Sequence, residues 1–298
     1  IVLVGGLTRL TDSGLSITEW ELFKGILPPT NNEMWNFYFD QYKKIPEFKE
    51  INYNMPLSEF KIIYYWEYGH RLLARLIGLF SIVPLIYLYF KYKINLNIIS
   101  KYFIIFLLIC FQGFVGWFMV KSGLINNTDV SHFRLSLHLS VAFIILSLVF
   151  WFILENLKII KFDKKLPQNF LNFFLFLIVI QIIMGAFLAG LNGGLIFNTW
   201  PDMNGNFLPN DIVIDDLYGL ESASNPSVIQ FYHRVIAYLI FLFLIILNYF
   251  YLKSNTEIKS LMFLNFAISL QIILGIVTLI TGVKIAYASL HQLGSVFV

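Results

Sequence analysis

Residues Glu67–Arg75 read EYGHRLLAR, and residues Gln230–Tyr238, far along the chain, read QFYHRVIAY. The two stretches align as Glu/Gln-x-x-His-Arg-x-x-Ala, and each opens a long apolar run. A motif that recurs in the same context indicates an internal duplication. We therefore predict two related domains, residues 1–162 and residues 163–298, built on the same order of helices.

Apolar runs dominate the chain. Hydrophobic residues make up 58% of its 298 residues and charged residues only 13%, which indicates a membrane protein rather than a soluble domain. A helix crosses the hydrocarbon core with about 20 apolar residues. The runs that qualify are Ile62–Phe90, Tyr102–Val120, Leu135–Leu154, Phe170–Leu191, Val228–Leu252 and Leu261–Ile280. Because both ends of the sequence are apolar too, we predict an all-α integral membrane protein: eight transmembrane helices, the first and last truncated, in two duplicated four-helix bundles.

The lysines predict the orientation, because short loops rich in Lys and Arg face the cytoplasm. Such loops carry Lys91, Lys93 and Lys101, then Lys158, Lys161, Lys164 and Lys165, then Lys253 and Lys259. The long loops Thr8–Lys61 and Asn192–Ser227 should therefore lie on the outer, periplasmic side. The net charge of +3 reflects this topology, and no basic stretch interleaved with aromatic residues suggests nucleic acid as a partner. The single cysteine, Cys110, allows no intrachain disulfide and is expected to be a small buried residue.

Four of the five histidines occupy equivalent places, one at the outer end of each even-numbered span. The duplication pairs His70 with His233, and His138 with His291. Two imidazoles from facing helices can ligate one haem iron. Zinc would need further ligands, and no cysteine or carboxylate recurs beside each pair. We predict two porphyrin sites near the outer face, with proton relay and structural histidines as alternatives. His132 has no counterpart and is expected to be a loop residue or a secondary contact.

Charged side chains accompany these histidines. The arginines are Arg71, Arg75, Arg134 and Arg234. Guanidinium groups at headgroup level suit haem propionates, and snorkelling at helix ends is the alternative. Glu67 lies three residues before His70 on one helix face, whereas the second half has Gln230 there. An acid in one half and an amide in the other favour chemistry in the first half and a resident electron-transfer cofactor in the second. The alternative is a Glu67 that only pairs with Arg71.

Several motifs together resemble one known family. They are VGGLTRLTDSGLSITEW with KGILPP, EYGHRLLAR, HFRLSLHLS, NTWPDMNG, QFYHRVIAY and LHQ, and they extend over essentially the whole chain. They resemble the COX15/CtaA family of haem A synthases, in its mitochondrial and alphaproteobacterial branch. The resemblance implies an oxidoreductase that converts the C8 methyl group of haem O to a formyl group in two successive oxidations. The product, haem A, serves cytochrome oxidase.

The resemblance also implies the role of each site residue. The substrate haem iron would be contacted by His70 and His138, with Arg71, Arg75 and Arg134 around that haem. A resident haem b would be ligated by His233 and His291, with Arg234 beside it. Glu67 would be the essential acid. Unlike some bacterial members of the family, the loop Thr8–Lys61 carries no cysteine pair, so the electron acceptor has to be reached without a thiol relay.

The expected partners are haem O, haem A, the lipid bilayer and an unidentified electron acceptor. A farnesyltransferase that makes haem O and a second copy of the chain are further candidates. The composition, rich in Ile, Lys and Asn, favours a bacterial inner membrane over the mitochondrial one. The main alternative function is a non-catalytic dihaem b-type cytochrome that only transfers electrons, which leaves Glu67 without a role. A more distant alternative is a transporter whose histidines relay protons.

Overall fold

The computed structural model describes residues 1–93, 95–125, 127–158, 167–254 and 259–298. Helices account for most of these residues. They are α1 (Val2–Leu10), α2 (Asn32–Tyr42), α3 (Pro46–Glu50), α4 (Leu57–Tyr92), α5 (Leu96–Gly123), α6 (His132–Asn156), α7 (Gln168–Gly190), α8 (Pro226–Ser254), α9 (Lys259–Ile280) and α10 (Ile285–Gly294). Short 3-10 turns occur in the loops and after α10.

Six helices, α4 to α9, are long and apolar enough to cross a membrane. They coincide with the six predicted runs, so the prediction of an all-α membrane protein is confirmed. The reason is physical, since a backbone in lipid has to satisfy its hydrogen bonds within its own helix. Helices α1 and α10 have 9 and 10 residues, which is shorter than a span. The arrangement of eight spans in two duplicated bundles therefore stays a prediction.

The chain divides into two compact units, unit 1 (Ile1–Leu154) and unit 2 (Glu155–Val298). The boundary predicted from the sequence, between Phe162 and Asp163, lies outside the described residues. The duplication predicted from the sequence would relate α1 to α7, α4 to α8, α5 to α9 and α6 to α10. Each unit thus carries one copy of the histidine-bearing helices.

In unit 1 the buried core lies in the α1–α4 loop, residues 11–56, where it packs on the first turns of α4. Its members are Leu15, Ile17, Trp35, Phe39, Tyr42, Ile45, Phe60 and Tyr64. The ring of Phe39 stacks on that of Phe60 with centroids 5.0 Å apart. With 36 residues, α4 is about 54 Å long, whereas the hydrocarbon core is about 30 Å thick. The first turns of α4 are therefore free to extend beyond the bilayer and carry the loop.

In unit 2 the core lies between the helices themselves. It is formed by Phe174, Leu177, Ile240, Leu244, Leu247, Leu261 and Ile268, from α7, α8 and α9. A polar pair accompanies it, since the amides of Asn248 in α8 and Asn265 in α9 donate to each other's oxygen at 2.7 Å in both directions. Such reciprocal amide bonds satisfy both side chains within an apolar bundle and fix the register of the two helices.

Large apolar side chains are exposed along the spans, for example Phe80 and Phe90 of α4. In a bilayer such surfaces contact lipid, which is as apolar as the side chains are. Cys110 belongs to this class, because it lies exposed on α5. The prediction that it is buried was wrong. Burial inside a soluble core is not required of a small apolar residue that faces hydrocarbon.

A buried carboxyl group lies in the α1–α4 loop of unit 1. Glu47 in α3 is only 5% exposed, and its Oε2 has no hydrogen-bond partner among the described residues. Burial raises the pKa of Glu47 from 4.5 to about 8, and the negative charges of Asp12, Glu67 and Asp129 add to the shift. A hydrogen bond with Tyr42 opposes it. Glu47 is therefore neutral in the folded loop over a pH range in which an exposed glutamate is ionised.

We expect the α1–α4 loop to lose stability as the pH rises from about 4.5 to about 8. In that interval the unfolded loop has released the proton of Glu47 and the folded loop still holds it, so unfolding becomes more favourable with rising pH. Glu47→Gln should remove this dependence. The measurement is the rate of limited proteolysis of the loop at pH 5 and pH 8, with the exposed neighbour Glu50→Gln as control. Equal pH dependence in wild type and Glu47→Gln would contradict the assignment.

Candidate functional site

The structure brings the four predicted histidines together in two pairs. In unit 1, His70 of α4 and His138 of α6 lie near enough to interact electrostatically. In unit 2, His233 of α8 and His291 of α10 do the same. The fifth histidine, His132, begins α6 and packs on the ring of Phe133, with centroids 4.2 Å apart. No group of three or more His, Cys, Asp or Glu side chains within the described ranges could hold a metal ion.

A glycine on a neighbouring helix makes room for each imidazole. The contacts are Gly5 with His70, Gly116 with His138, Gly185 with His233 and Gly275 with His291. A Cβ at these positions would lie between 2.9 and 3.2 Å from the nearest ring atom, which is too close for ordinary contact. Three of these glycines end the Gln-x-x-x-Gly motifs. Sequence reasoning used those motifs only as a sign of duplication and missed that they form the histidine pockets.

Glu67 lies at the centre of a dense set of hydrogen bonds and is only 3% exposed. Its Oε1 accepts from Nε and Nη2 of Arg71, at 3.0 and 2.6 Å. Its Oε2 accepts from the hydroxyl of Ser16 and from the backbone N–H of Ile17, both at 2.7 Å. The ion pair with Arg71, which sequence analysis held as the alternative for Glu67, is therefore present. Through Ser16 and Ile17 the carboxylate also fastens the α1–α4 loop to α4.

Gln230 takes the equivalent place in unit 2 and performs the same fastening with an amide. It is 1% exposed, and its Nε2 donates to the carbonyl oxygen of Phe197 at 3.0 Å. Arg234 donates to the same carbonyl and to those of Thr199 and Asp202, each at 2.8 Å. Both units thus tie their long loop to the start of the histidine helix, but only unit 1 places a carboxylate there.

The arginines of unit 1 also bind backbone carbonyls. Arg71 donates to the carbonyls of Glu19 and Ile17, and Arg75 to those of Leu22 and Glu21. Arg134 donates to the carbonyl of Phe118 and lies over the Phe118 ring, with Cζ 3.8 Å from its centroid. These loop contacts could not be read from the sequence, and the predicted role of the arginines in haem binding stays a prediction.

Two of the arginines that the sequence predicts beside the haems, one in each unit, have a guanidinium donor available for an anion. Nη1 of Arg75 and Nε of Arg234 are buried without a hydrogen-bond partner among the described residues. Nδ1 of His138 and Nδ1 of His233 are also buried without a hydrogen-bond partner among the described residues. Buried polar atoms without partners are uncommon, and a bound ion or water molecule is one kind of group that can satisfy them. The two imidazoles of each unit, with a glycine cleft beside each ring, would suit the iron of a haem, and the free donor of Arg75 or Arg234 would suit a propionate.

The fold and the site define a polytopic helical membrane protein with one histidine pair in each of its two compact units. A family profile described as cytochrome oxidase assembly protein, COX15-CtaA, matches residues 1–298. This chain belongs to the COX15-CtaA family, which confirms the resemblance noted in the sequence.

Curated relatives named haem A synthase match along almost their full length. The protein from Pelagibacter ubique is 61% identical over 298 residues, which is 100% of this chain and 89% of the relative. The protein from Rickettsia felis is 46% identical over 300 residues, and that from Rickettsia bellii 45% over 299 residues; each match covers 98% of this chain and 89% of the relative. All three are bacterial proteins.

Proposed function

We propose that this chain is a haem A synthase of a bacterial inner membrane, which oxidises the C8 methyl group of haem O to a formyl group. The observation that carries the proposal is the 61% identity, over the whole chain, to a protein named haem A synthase. The conversion proceeds in two oxidations, through an alcohol and a hydrated aldehyde that loses water. Overall it takes up one water and releases four protons and four electrons to an electron acceptor.

Each histidine pair has a distinct task in this proposal. His70 and His138 of unit 1 would hold the iron of the substrate haem, and His233 and His291 of unit 2 that of a haem b. Bound there, haem b supplies one-electron redox chemistry at a fixed position. The support is the pairing of these histidines within each unit and the glycine cleft beside every ring.

Glu67 is the residue proposed to accept a proton as water adds to the oxidised carbon. Glu67 accepts four hydrogen bonds, and at least one of them has to be rearranged before it can hold a proton. Ser16 is the partner whose hydrogen bond can reverse its direction. The Ser16 hydroxyl also lies 2.9 Å from the carbonyl oxygen of Ser13. Since a hydroxyl both donates and accepts, protonated Glu67 can donate to Ser16 Oγ while the Ser16 hydrogen turns to Ser13. Arg71 cannot reverse in this way, because a guanidinium only donates.

We expect Ser16→Ala to slow haem A formation by roughly tenfold or more, since hydrogen bonds to charged groups contribute about 1.5–3 kcal/mol. The measurement is the initial rate of haem A formation in membranes supplied with haem O. Ser13→Ala is the matched control, because Ser13 is equally buried in the same loop and its hydroxyl bonds Thr11 rather than Glu67. Equal rates in the two variants would argue against the role of Ser16.

Pigment analysis of the purified protein separates this function from that of a dihaem b-type cytochrome. The protein is produced in cells that make haem O, and its haems are extracted and separated by chromatography. We expect haem B together with haem O or haem A in similar amounts, one haem for each unit. Two equivalents of haem B, with haem O present in the cells, would favour the cytochrome.

A further inference from the structure

The α1–α4 loop of unit 1 contains a short segment whose large apolar side chains are exposed. Residues 20–27, which read WELFKGIL, are named the apolar segment. Its exposed apolar side chains are Trp20, Leu22, Phe23, Ile26 and Leu27, with Phe23 78% exposed. Contiguous exposed apolar side chains mark a contact with a partner or with a membrane. The regular structure of the segment is one 3-10 turn, Lys24–Ile26, so several of its carbonyl oxygens have to find partners elsewhere.

Side chains of α4 supply partners for these carbonyl groups. Arg75 donates to the carbonyl oxygens of Glu21 at 2.8 Å and of Leu22 at 3.1 Å. The hydroxyl of Tyr68 donates to the carbonyl oxygen of Ile26 at 2.7 Å. At membrane depth a backbone polar group needs a partner within the protein, because lipid offers none. The segment therefore has three carbonyl groups bound to α4 while its apolar side chains remain exposed.

The spacing of charges on α4 gives the depth of the Arg75 turn. Between Arg75 and Lys91 lie 15 uncharged residues, Leu76–Phe90, which extend about 22 Å along the helix. The hydrocarbon core is about 30 Å thick, so this stretch alone does not cross it. Because α4 ends at Tyr92, most of the missing length has to come from the turn that carries Arg75. The apolar segment, bound to that turn, lies at the boundary between hydrocarbon and headgroups.

Helix α5 gives the same depth independently. The ring of Trp20 meets the ring of Trp117 edge-on, with centroids 6.4 Å apart. Trp117 belongs to the apolar run Tyr102–Val120 and lies one turn inside Lys121, which bounds the run. Tryptophan is enriched where headgroups meet hydrocarbon. Contacts with two different spans thus place the apolar segment at the same boundary.

We propose that the apolar segment inserts into the lipid leaflet beside the Arg75 turn of α4, with Phe23 and Leu27 against the acyl chains. Tyr68 and Arg75 hold its backbone, and the long side chain of Lys24 reaches the headgroups. Lipid is the occupant that the depth favours, since a partner in the aqueous space would meet the loop at the first turns of α4. The inference does not depend on the proposed function, because it uses only contacts within unit 1.

The test compares the reactivity of a single cysteine at two positions of the loop. Phe23→Cys and Tyr53→Cys are made in a Cys110→Ser background, since Cys110 is the only cysteine of the chain. Tyr53 is the matched control, because it is an aromatic residue of the same loop, 64% exposed, close to the start of α4. Each purified variant is placed in phospholipid vesicles and treated with a charged maleimide that does not cross a bilayer. Rates are divided by those of the same variant unfolded in dodecyl sulfate.

We expect Phe23→Cys to react at least about tenfold more slowly than Tyr53→Cys. The thiolate is the reactive form, and apolar surroundings raise the pKa of a thiol, with about tenfold less thiolate for each unit. Leu27→Cys should be slow in the same way. Equal rates for Tyr53→Cys and both segment variants would overturn the inference and would show a segment that is free in water for a protein partner.

A second measurement tests the bonds that hold the segment. Tyr68→Phe, added to Phe23→Cys, should speed the reaction by about fivefold, the effect of one lost hydrogen bond, because the carbonyl of Ile26 then favours water. Tyr65→Phe, at an exposed tyrosine of the same helix, is the control. Equal rates with Tyr68→Phe and Tyr65→Phe would contradict the role given to Tyr68.

Discussion

Glu67→Gln is expected to lower the rate of haem A formation by about 100-fold or more, since a positioned acid or base contributes at least that factor. The substitution should leave the fold and haem B content intact. Unit 2 shows why, because Gln230 fastens its loop from the equivalent position with an amide. The glutamine at position 67 has a single acceptor oxygen, so it can accept from Arg71 or from Ile17 but not from both, and it can no longer take up a proton. The measurement is the initial rate of haem A formation in membranes supplied with haem O.

Glu59→Gln is the matched control for this variant. Glu59 lies in the first turn of α4, two turns before Glu67, and it is exposed. Its substitution should leave the rate unchanged. If Glu67→Gln formed haem A at the rate of Glu59→Gln, the carboxylate would serve only to fasten the loop, and the proposed proton transfer would be wrong.

His233→Ala is expected to remove the haem b proposed for unit 2, so that haem B falls below about a tenth of the wild-type amount per protein. Loss of an outer partner alone lowers metal affinity 10- to 100-fold, and loss of an axial ligand should cost more. Haem A formation should fall with it, whereas haem O should still bind in unit 1. The measurement is the content of haem B and haem O in the purified variant, by chromatography.

His132→Ala controls for the loss of a histidine as such. His132 begins α6 but belongs to neither pair, so its replacement should leave both haems in place. Retention of haem B by His233→Ala at the wild-type level would show that the pair His233 and His291 does not hold the haem, and the assignment of unit 2 would fail.

The six spans could be predicted because membrane helices follow from length and apolarity alone. The histidine pairs could be predicted because the two related motifs place them at equivalent ends of their helices. Residues at equivalent helix ends lie at a similar depth in the membrane. Neither inference needs knowledge of how loops pack. The same reasoning did not establish whether α1 and α10 belong to full spans, since too few residues remain at either end.

The partners of Glu67 and the arginines could not be predicted fully. Pairing of Glu67 with Arg71 follows from their spacing on one helix, and it was among the alternatives. The bonds from Ser16 and Ile17, and those from Arg75 to loop carbonyls, join residues about 50 positions apart. Backbone carbonyls carry no sequence signal, so such contacts appear only once the loop is folded. The prediction for Cys110 failed for a different reason. It assumed that a small apolar residue is buried, as in a soluble protein, whereas Cys110 lies on a surface that faces lipid.

The central claim, that this chain makes haem A from haem O, is tested most directly in cells that produce haem O but have no haem A synthase. The chain is expressed in them, and total membrane haem is extracted and separated by chromatography. The account predicts that haem A appears and haem O declines by a matching amount, and that neither changes in cells carrying Glu67→Gln. Haem O that stays constant, with no haem A in cells that contain the folded wild-type protein, would contradict it.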